Sequence, residues 1–352
     1  MTVFPSLDAA VLARLEEAVP DLVSTRIELS RLSRWRIGGN ADALVEPSNE
    51  QQVSAVLRVL LESKTPYCVV GDTSNLLFDS EGLRGVLIRI ASEMSGINIE
   101  GRDVAVKAGT SVPKLARRVG ARGLTGIEHT VGIPGTIGGL VLMNGGSQRK
   151  GIGSHVTWVR YVDTNGEVRV IAPDECHFSY RSSALQTRGG VIVEVGLRLE
   201  EGDPHTINAE MDHIVESRRA RFPEDHPNCG STFLSNPAMY STAGPPGQVI
   251  EQAGFKGKRI GGAQVSPQHA NFINNVGAAK SDDVLELIRQ IRETVRTRTG
   301  FVMDSEARYV TPDSRVLPVH EEADRRPPSV AESPDEHPGA EAANLPVLKE
   351  GI

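Results

Sequence analysis

The sequence lacks several features that would assign a class at once. It has no excess of positive charge, since 38 lysines and arginines stand against 45 aspartates and glutamates, for a formal net charge of -7. Nucleic-acid binding requires a basic face, so nucleic acid is not expected as the main partner. No apolar run approaches the roughly 20 residues that cross a membrane, so no membrane partner is expected. The first residues also lack the basic and then apolar pattern of a secretory signal peptide.

Cysteine is equally scarce. Cys68, Cys176 and Cys229 are odd in number, lie far apart and form no metal-spaced pair. We therefore expect no metal, and we expect reduced thiols and a cytoplasmic location. Cys229 lies two residues before Ser231, but a nucleophilic thiol needs a base partner and the sequence identifies none. We interpret Cys229 as a packing residue.

Glycine, in contrast, is abundant and concentrated. Residues 126–139 contain five glycines and one proline, a composition that suits neither a helix nor an ordinary strand. Without side chains, the backbone N–H groups of such a run can approach a phosphate or a flat cofactor. A second polar loop at residues 71–75 follows the apolar run at 67–70. Two loops of this kind favour one extended, doubly charged ligand such as a dinucleotide.

The length of 352 residues allows two or three domains. β-rich and helical runs alternate over residues 40–200 without a regular βαβ period, which predicts an α+β fold with mixed sheets. We predict four segments: an N-terminal helix and lead-in at 1–22, a first domain at 23–202, a second domain at 203–312 and a tail at 313–352. The tail is rich in Pro, Glu, Asp and Ala, so we expect it to be disordered. Its deletion from residue 315 onward is expected to leave activity intact.

Two helices are predicted at opposite ends of the chain. An amphipathic pattern over residues 7–18 predicts a short first helix with Ser6 as its cap. The clearest helix begins at Ser281, which we expect to be the N-cap, and ends at Gly300. Its apolar stripe is Val284, Leu287, Ile288, Ile291 and Val295.

Short motifs follow one another along most of the chain. Each is weak alone, but seven or more in a fixed order are specific. Through them the sequence resembles the UDP-N-acetylenolpyruvoylglucosamine reductases, also called UDP-N-acetylmuramate dehydrogenases, from about Arg36 to Val310. The motifs are Arg36-Ile37-Gly38-Gly39, Ser74-Asn75-Leu76-Leu77, residues 126–139, Met143-Asn144-Gly145-Gly146, Ser179-Tyr180-Arg181-Ser182-Ser183, Gly230-Ser231, residues 256–263, residues 269–274 and Glu306.

The resemblance implies a fold and a reaction. The implied fold is a vanillyl-alcohol-oxidase/PCMH-type FAD-binding domain of two subdomains at 23–202, followed by a smaller α+β substrate-binding domain at 203–312. The implied reaction uses FAD and NADPH to reduce UDP-N-acetylglucosamine enolpyruvate in cytoplasmic peptidoglycan precursor synthesis. The partners are then the UDP-sugar substrate and NADPH, and a monomer is expected. The chain is similar to the shorter subtype, because no room follows Arg181 for the extra tyrosine-bearing loop.

The resemblance also assigns three catalytic roles. Hydride addition at the β carbon of an enolpyruvyl ether leaves negative charge on the α carbon and its carboxylate, so pre-placed cations and then a proton are needed. Ser231 resembles the family's proton donor. Arg181 resembles the arginine that stabilises the developing charge, a task that its fork of donors suits. Glu306 resembles the third residue, which orients the carboxylate partner or relays protons.

Cofactor and substrate contacts are assigned in the same way. FAD is expected to be held mainly through backbone N–H groups, with amides from two asparagines. These residues are Gly71, Asp72, Thr73, Ser74, Asn75, Leu76, Gly126, Ile133, Pro134, Gly135, Thr136, Gly138, Gly139, Asn144 and Gly145. The substrate, and its diphosphate in particular, is assigned to Tyr180, Arg221, Asn236, Lys256, Arg259 and His269.

Three departures from the family pattern leave alternatives open. Thr73 stands where the family usually has glycine, and Asp72 places a carboxylate beside a predicted diphosphate. The segment 232–237 is one residue longer than usual and lacks a lysine, and residues 144–148 also differ. A paralogous FAD-dependent oxidoreductase acting on another small molecule is therefore the main alternative. A flavin- or nucleotide-binding module without chemistry and an oxidase with covalent FAD are further alternatives, which the catalytic trio and the lack of an attachment motif respectively disfavour.

Overall fold

The structure is a computed structural model that describes residues 7–326. Within that range the strands are β1 (Val23–Glu28), β2 (Asn40–Val45), β3 (Tyr67–Val70), β4 (Leu76–Phe78), β5 (Leu83–Arg89), β6 (Ile97–Glu100), β7 (Asp103–Lys107), β8 (Leu124–Thr125), β9 (Val156–Val162), β10 (Val168–Ile171), β11 (Val191–Arg198), β12 (Glu200–Glu201), β13 (Arg259–Ile260), β14 (Ala263–Val265), β15 (Ile273–Asn275), β16 (Arg308–Val310) and β17 (Val316–Pro318).

The helices of the same range are α1 (Ala9–Ala18), α2 (Leu29–Leu32), α3 (Glu50–Ser63), α4 (Val112–Gly120), α5 (Ile137–Leu142), α6 (Leu185–Arg188), α7 (Pro204–Arg221), α8 (Pro237–Thr242), α9 (Pro246–Gln252), α10 (Ser281–Thr299) and α11 (Val319–Arg325). Single 3₁₀ turns complete them at Ser92–Met94, Glu128–Thr130, Ile152–His155 and Asp174–Cys176.

Two large sheets form most of the N-terminal half, beside the short antiparallel pair of β8 and β12. The first has the order β1-β2-β5-β3, in which β2, β5 and β3 are parallel and β1 is antiparallel to β2. The second has the order β10-β9-β11-β7-β6 and is antiparallel throughout. Helix α3 buries Val53, Val56, Leu57 and Leu60, the spacing of one helical face, in the core beside the first sheet. The predicted α+β class with mixed sheets is confirmed.

The C-terminal half does not form an isolated core. Trp35, Ile37 and Leu77 from the first part of the chain belong to the same apolar cluster as the stripe of α10. The fully buried Trp35 indole donates a hydrogen bond to the carbonyl of Ile273 at 2.8 Å. Burial of each large apolar side chain contributes about 1.5–3 kcal/mol, so this shared cluster fastens the two halves together.

A small sheet also joins the two halves. Its order is β17-β16-β4, and the central strand β16 pairs in parallel with β4 and antiparallel with β17. β4 directly follows the loop at residues 71–75, and Glu306 lies two residues before β16. The pairing therefore fixes the position of Glu306 relative to the loop at residues 71–75.

The disorder predicted for 313–352 is wrong where the structure describes that segment. Residues 313–326 include β17 and α11, and α11 buries Val319 and Ala323 in the C-terminal core. The prediction rested on amino-acid composition. Composition does not show that a few side chains of the segment are buried, or that one of its strands pairs with β16. Residues 327–352 lie outside the described residues.

Both predicted caps also need correction. Asp8 caps α1 by accepting the N–H of Ala10, and Ser6 lies outside the described residues. In α10, Lys280 is the N-cap residue and its N–H donates to Asp283 at 2.9 Å. Ser281 instead exchanges hydrogen bonds with Ser80 of the N-terminal half. The predicted apolar stripe of α10 and its end at Gly300 are confirmed.

Candidate active site

The two glycine-containing loops meet. A Cβ on Gly71 would overlap the side-chain oxygen of Thr136, and a Cβ on Gly135 would lie 3.0 Å from Ser74 Oγ. Thr136 also caps α5 by accepting the N–H of Gly139. Glycine at 71 and 135 is therefore required for the close approach of the loops, and Gly135 additionally has a φ of 133°.

A cleft that is open to solvent lies beside this contact. Its lining combines backbone-rich glycine positions with apolar side chains: Val69, Val70, Gly71, Ile90, Thr136, Gly138, Gly139, Leu142, Tyr161, Leu185, Gly189, Gly190, Val191 and Ile192. The glycines leave room for a group to approach the backbone, while the apolar wall suits a flat ring. These residues fit FAD, and the cleft includes four of the predicted cofactor residues.

Thr73 has a left-handed backbone, with a φ of 52°. Its side chain is buried, and its hydroxyl donates to the carbonyl of Leu32 at 2.8 Å and accepts the N–H of Arg34 at 3.2 Å. Two hydrogen bonds thus compensate the backbone strain that a threonine carries there. Asp72 beside it is exposed and directed to solvent.

The two asparagines assigned to the cofactor make contacts within the protein. The Asn75 amide donates to the carbonyl of Glu306 at 2.9 Å, which links the loop at residues 71–75 to the segment that carries Glu306. The Asn144 amide donates to the carbonyl of Ser179 at 2.7 Å and accepts the N–H of Gly153 at 2.9 Å. The direct cofactor contacts assigned to both side chains, and those assigned to Leu76, Gly126, Ile133, Pro134 and Gly145, stay predictions.

Arg181 lies at the tip of a tight turn. Ser179 and Ser182 exchange backbone hydrogen bonds of 3.0 and 3.1 Å, which leaves Tyr180 and Arg181 between them. Arg181 has a φ of 53°, and the guanidinium carbon lies 5.5 Å from the centroid of the exposed Tyr180 ring. Its Nη2 donates to the carbonyl of Gly146 at 2.8 Å. The turn therefore presents the guanidinium from a constrained backbone.

Arg181 and Glu306 form an ion pair. Arg181 Nε lies 2.6 Å from Glu306 Oε1, and both side chains are about four-fifths buried. Burial raises the pKa of the Glu306 carboxyl, while the cations Arg181 and Arg308 oppose that rise. The residues are far apart in sequence, so the fold assembles this pair from two halves of the chain.

The segment that follows Ser231 pairs through its backbone with the segment that carries Glu306. Thr232 accepts the N–H of Glu306 at 2.8 Å, and Phe233 forms a bridge with Ser305. Ser231 is half-buried and follows Gly230, whose φ is 85°. Cys229 is buried, and burial raises the pKa of its thiol, which agrees with a packing residue.

A cation group, formed by Arg221 and Lys256, lies around His269 in the C-terminal half. His269 packs edge-on against Phe222 and Phe272, with ring centroids 5.3 and 5.1 Å away. Burial lowers the pKa of His269, and the neighbouring charges of Arg221 and Lys256 lower it further. Three of the predicted substrate residues therefore lie within electrostatic reach of one another, although Lys256 also pairs with Glu251 at 2.8 Å.

Two predicted substrate residues have other contacts. Arg259 lies on β13, is exposed and donates to the carbonyl of Gly261 at 2.8 Å. Asn236 caps α8 by accepting the N–H groups of Ala238 and Met239. Within residues 7–326, these hydrogen bonds of Arg259 and Asn236 do not reach Arg221, Lys256 or His269. The substrate roles of Arg259 and Asn236 stay predictions.

Sequence reasoning missed Arg218. Its guanidinium carbon lies 4.9 Å from the Phe222 ring centroid, and its side chain packs on Gly132, where a Cβ would overlap it. Burial lowers the pKa of Arg218, and the charges of Arg221 and Arg181 act in the same direction. Arg218 is therefore within electrostatic reach of both Arg181 and Arg221. The glycine at 132 was visible in the sequence, but its packing partner was not.

Two further contributions were missed. Gly189 and Gly190, with φ of 73° and 83°, line the cleft just before β11, and a Gly-Gly pair before an apolar run is a signal that could have identified them. The buried Asn271 clamps Phe233 through two hydrogen bonds of 3.0 Å and so fixes the segment that carries Ser231. Its place in the motif at 269–274 was the available signal.

The comparisons with known proteins agree with this geometry. Residues 41–172 match the model of an FAD binding domain, and residues 222–310 match that of the UDP-N-acetylenolpyruvoylglucosamine reductase C-terminal domain. A cleft between glycine loops with an FAD-domain match defines a flavoprotein. Among residues 7–326, no helix has the length and apolarity needed to span a membrane.

Relatives and a solved structure give the family. UDP-N-acetylenolpyruvoylglucosamine reductase 1 of Corynebacterium glutamicum is 48% identical over 307 residues, which cover 87% of this chain and 92% of the relative. Reductase 2 of Symbiobacterium thermophilum is 38% identical over 280 residues, 80% of this chain and 89% of that one. The crystal structure of the Thermus caldophilus reductase superposes with a TM-score of 0.69 at 30% identity, over 82% of this chain and 98% of that chain. The chain belongs to the UDP-N-acetylenolpyruvoylglucosamine reductase family.

Proposed function

We propose that this protein reduces UDP-N-acetylglucosamine enolpyruvate to UDP-N-acetylmuramate with NADPH, and that Arg181, Ser231 and Glu306 perform the protein's part of the reaction. The observation that carries the proposal is the ion pair of Arg181 and Glu306, which the fold assembles from the N-terminal and the C-terminal half of the chain. FAD, when bound, supplies hydride transfer from NADPH to the enolpyruvyl β carbon. Gly71, Thr136, Gly138 and Gly139 of the cleft would hold it through their backbones.

Arg181 acts on the charge that develops in the substrate. Addition of hydride to the β carbon places an electron pair on the α carbon, delocalised into the adjacent carboxylate. The guanidinium has five donors, and the contacts to Glu306 and Gly146 engage only part of them. The remaining donors can bind the substrate carboxylate as a fork. Ionised Glu306 holds the guanidinium in that orientation and keeps the buried cation paired.

Ser231 completes the addition by giving its hydroxyl proton to the α carbon. A serine hydroxyl is a weak acid in water, so it must be held against the acceptor and its proton replaced through neighbours or solvent. The backbone pairing of Thr232 with Glu306 and the Asn271 clamp on Phe233 provide that constraint on both sides of Ser231. One hydride and one proton thus add across the carbon–carbon double bond.

The UDP part of the substrate requires cations at a distance from the reacting carbon. Arg218, Arg221 and Lys256 supply positive charge around the aromatic surface of Phe222 and His269. Because burial and mutual repulsion lower the pKa of Arg218, a diphosphate bound there would relieve an existing electrostatic cost. We further propose that the protein acts as a cytoplasmic monomer, and its three free cysteines favour a reducing compartment.

The test follows the flavin spectrum. Purified protein is reduced anaerobically with NADPH, and UDP-N-acetylglucosamine enolpyruvate is then added. Bleaching of the flavin bands followed by their recovery supports the proposal, and Ser231→Ala should slow only the recovery. Bleaching without recovery would mean that the acceptor is another small molecule, for which the altered segment 232–237 would be responsible. Absence of bound flavin would contradict the proposed function altogether.

A further inference from the structure

A histidine outside the matched family models holds the catalytic segment. His320 lies on α11, beyond the C-terminal match that ends at residue 310. Its Nδ1 accepts the backbone N–H of Ser305 at 3.0 Å and lies 2.9 Å from Ser305 Oγ. The backbone N–H of His320 in turn donates to Ser305 Oγ at 3.3 Å. Ser305 immediately precedes Glu306, so these contacts act one residue from the proposed catalytic carboxylate.

The hydrogen bonds define the protonation state of the ring. A backbone N–H can only donate, so Nδ1 must carry a lone pair and the ring proton lies on Nε2. Nε2 faces Asp304 Oδ1 at 3.6 Å. Ser305 Oγ is left free to donate to the carbonyl of Ala307 at 3.1 Å. A protonated imidazole could not accept the Ser305 N–H, so this arrangement requires neutral His320.

The surroundings keep His320 neutral. Burial lowers its pKa, and Arg292 of α10 lowers it further. Three carboxylates oppose that effect, namely Asp304 before β16 and Glu321 and Asp324 on α11. Arg292 pairs with Asp324 at 2.9 Å, so its charge is partly compensated. Burial and Arg292 thus favour the neutral imidazole that accepts the Ser305 N–H.

Ser305 connects the ring to both catalytic residues. It forms a bridge with Phe233, and its neighbour Glu306 donates its N–H to Thr232, the residue after Ser231. Helix α11 is itself anchored, because Val319 is fully buried and its N–H donates to the carbonyl of Ala307 at 3.0 Å. The His320 side chain thus supports the backbone contact between two segments, one of which follows Ser231 and the other of which carries Glu306.

We propose that His320 is a positioning residue, which acts through Ser305 to hold Glu306 and Ser231 in register for protonation of the substrate. The inference rests on the proposed function, because the roles of Ser231 and Glu306 are proposed there. It predicts that loss of the Nδ1 acceptor slows the second half-reaction, recovery of the flavin with UDP-N-acetylglucosamine enolpyruvate, and not the first, reduction by NADPH.

The experiment compares His320→Leu with His320→Asn, since the Asn amide oxygen can take the place of Nδ1. Stopped-flow measurements on the flavin-loaded protein follow both half-reactions, with Arg325→Gln on the same helix as the control. We expect Leu to slow recovery about 10- to 100-fold at unchanged substrate affinity, as small misplacements of catalytic groups do. Asn should restore the rate to within about threefold, and NADPH reduction should be unchanged in every variant.

Equal rates for Leu and Asn, or a Leu variant within about threefold of the unmodified protein, would overturn the inference. Glu306→Gln, measured alongside, separates the two hypotheses, because a normal recovery rate in that variant contradicts the proposed function instead. If the Leu variant does not fold, the pH profile decides. Because the pKa of His320 is lowered, the recovery rate should fall toward acid below about pH 6.5, more steeply in the unmodified protein than in His320→Asn, and identical profiles would refute the role.

Discussion

Replacement of Thr73 tests the strained loop beside the cofactor cleft. Either Thr73→Gly or Thr73→Ala removes the hydroxyl that bonds Leu32 and Arg34. At about 1 kcal/mol for each hydrogen bond and about 0.8 kcal/mol for the buried methyl group, the loss is about 3 kcal/mol. Alanine keeps the strained φ of 52° and bears this full loss.

Glycine differs because it relieves the strain. The left-handed conformation costs an L-residue about 1–2 kcal/mol, which glycine recovers. Glycine also loses about 0.5–1 kcal/mol more entropy on folding than alanine. The expected destabilisation is therefore about 2 kcal/mol for Thr73→Gly against about 3 kcal/mol for Thr73→Ala.

Thermal unfolding of the flavin-loaded variants measures this order. A difference of about 1 kcal/mol corresponds to about 1–2 °C in Tm for a chain of this length, with glycine the more stable. Thr73→Ser is the control, because it keeps the hydroxyl and should lose only about 1 kcal/mol. An alanine variant as stable as the glycine variant would refute the claim that position 73 is held in a strained conformation.

Three further predictions concern the site and the C-terminal segment. Arg181→Gln should slow recovery of the flavin about 10²- to 10³-fold, and it should move the acid limb of the pH profile to higher pH, because Arg181 lowers the pKa of Glu306. Arg218→Gln should raise the substrate KM about 10-fold with little change in kcat. Because β17 and α11 lie beyond residue 315, deletion from that residue onward should not leave activity intact: a chain ending at Pro312 should lose activity and stability, whereas one ending at Arg326 keeps every described contact of both elements.

Matched controls separate these effects from general loss of charge. Arg188→Gln on α6 and Arg219→Gln beside Arg218 remove exposed arginines that pair with carboxylates at 3.8 and 3.9 Å. Surface pairs of this kind contribute about 0–1 kcal/mol, so steady-state kinetics should be unchanged. If Arg188→Gln were as impaired as Arg181→Gln, or Arg219→Gln as impaired as Arg218→Gln, the role assigned to Arg181 or Arg218 would be contradicted. Full activity in the chain ending at Pro312 would contradict the role assigned to β17 and α11.

What the sequence predicted depended on local signals. The stripe of α10 and the two glycine loops are local patterns, and the structure places them as expected. The contacts of Arg218 with Gly132 and of His320 with Ser305 join distant segments, so no local period indicates them. Composition also misjudged residues 313–326, because a strand and a short helix need only a few buried side chains to order a polar segment.

The side-chain assignments at the site show the same limit. The order of the motifs identified Arg181, Ser231 and Glu306 as candidate catalytic residues, and the fold places their segments together. It could not show that the Asn144 amide is engaged by Ser179 and Gly153. Hydrogen-bond partners depend on tertiary geometry, which a single sequence encodes only through the whole fold.

The pairing of β4 with β16 has a consequence for synthesis of the chain. Asn75 and Glu306, joined by a hydrogen bond, are 231 positions apart. At about 5–20 residues per second, the ribosome exposes β4 for many seconds before its partner strand exists. During that interval β4 presents an unpaired edge, which is a template for aggregation. The N-terminal half expressed alone would keep this edge, so the flavin-binding half is not a self-sufficient module, and maturation of the enzyme is a late event that waits for its last strands.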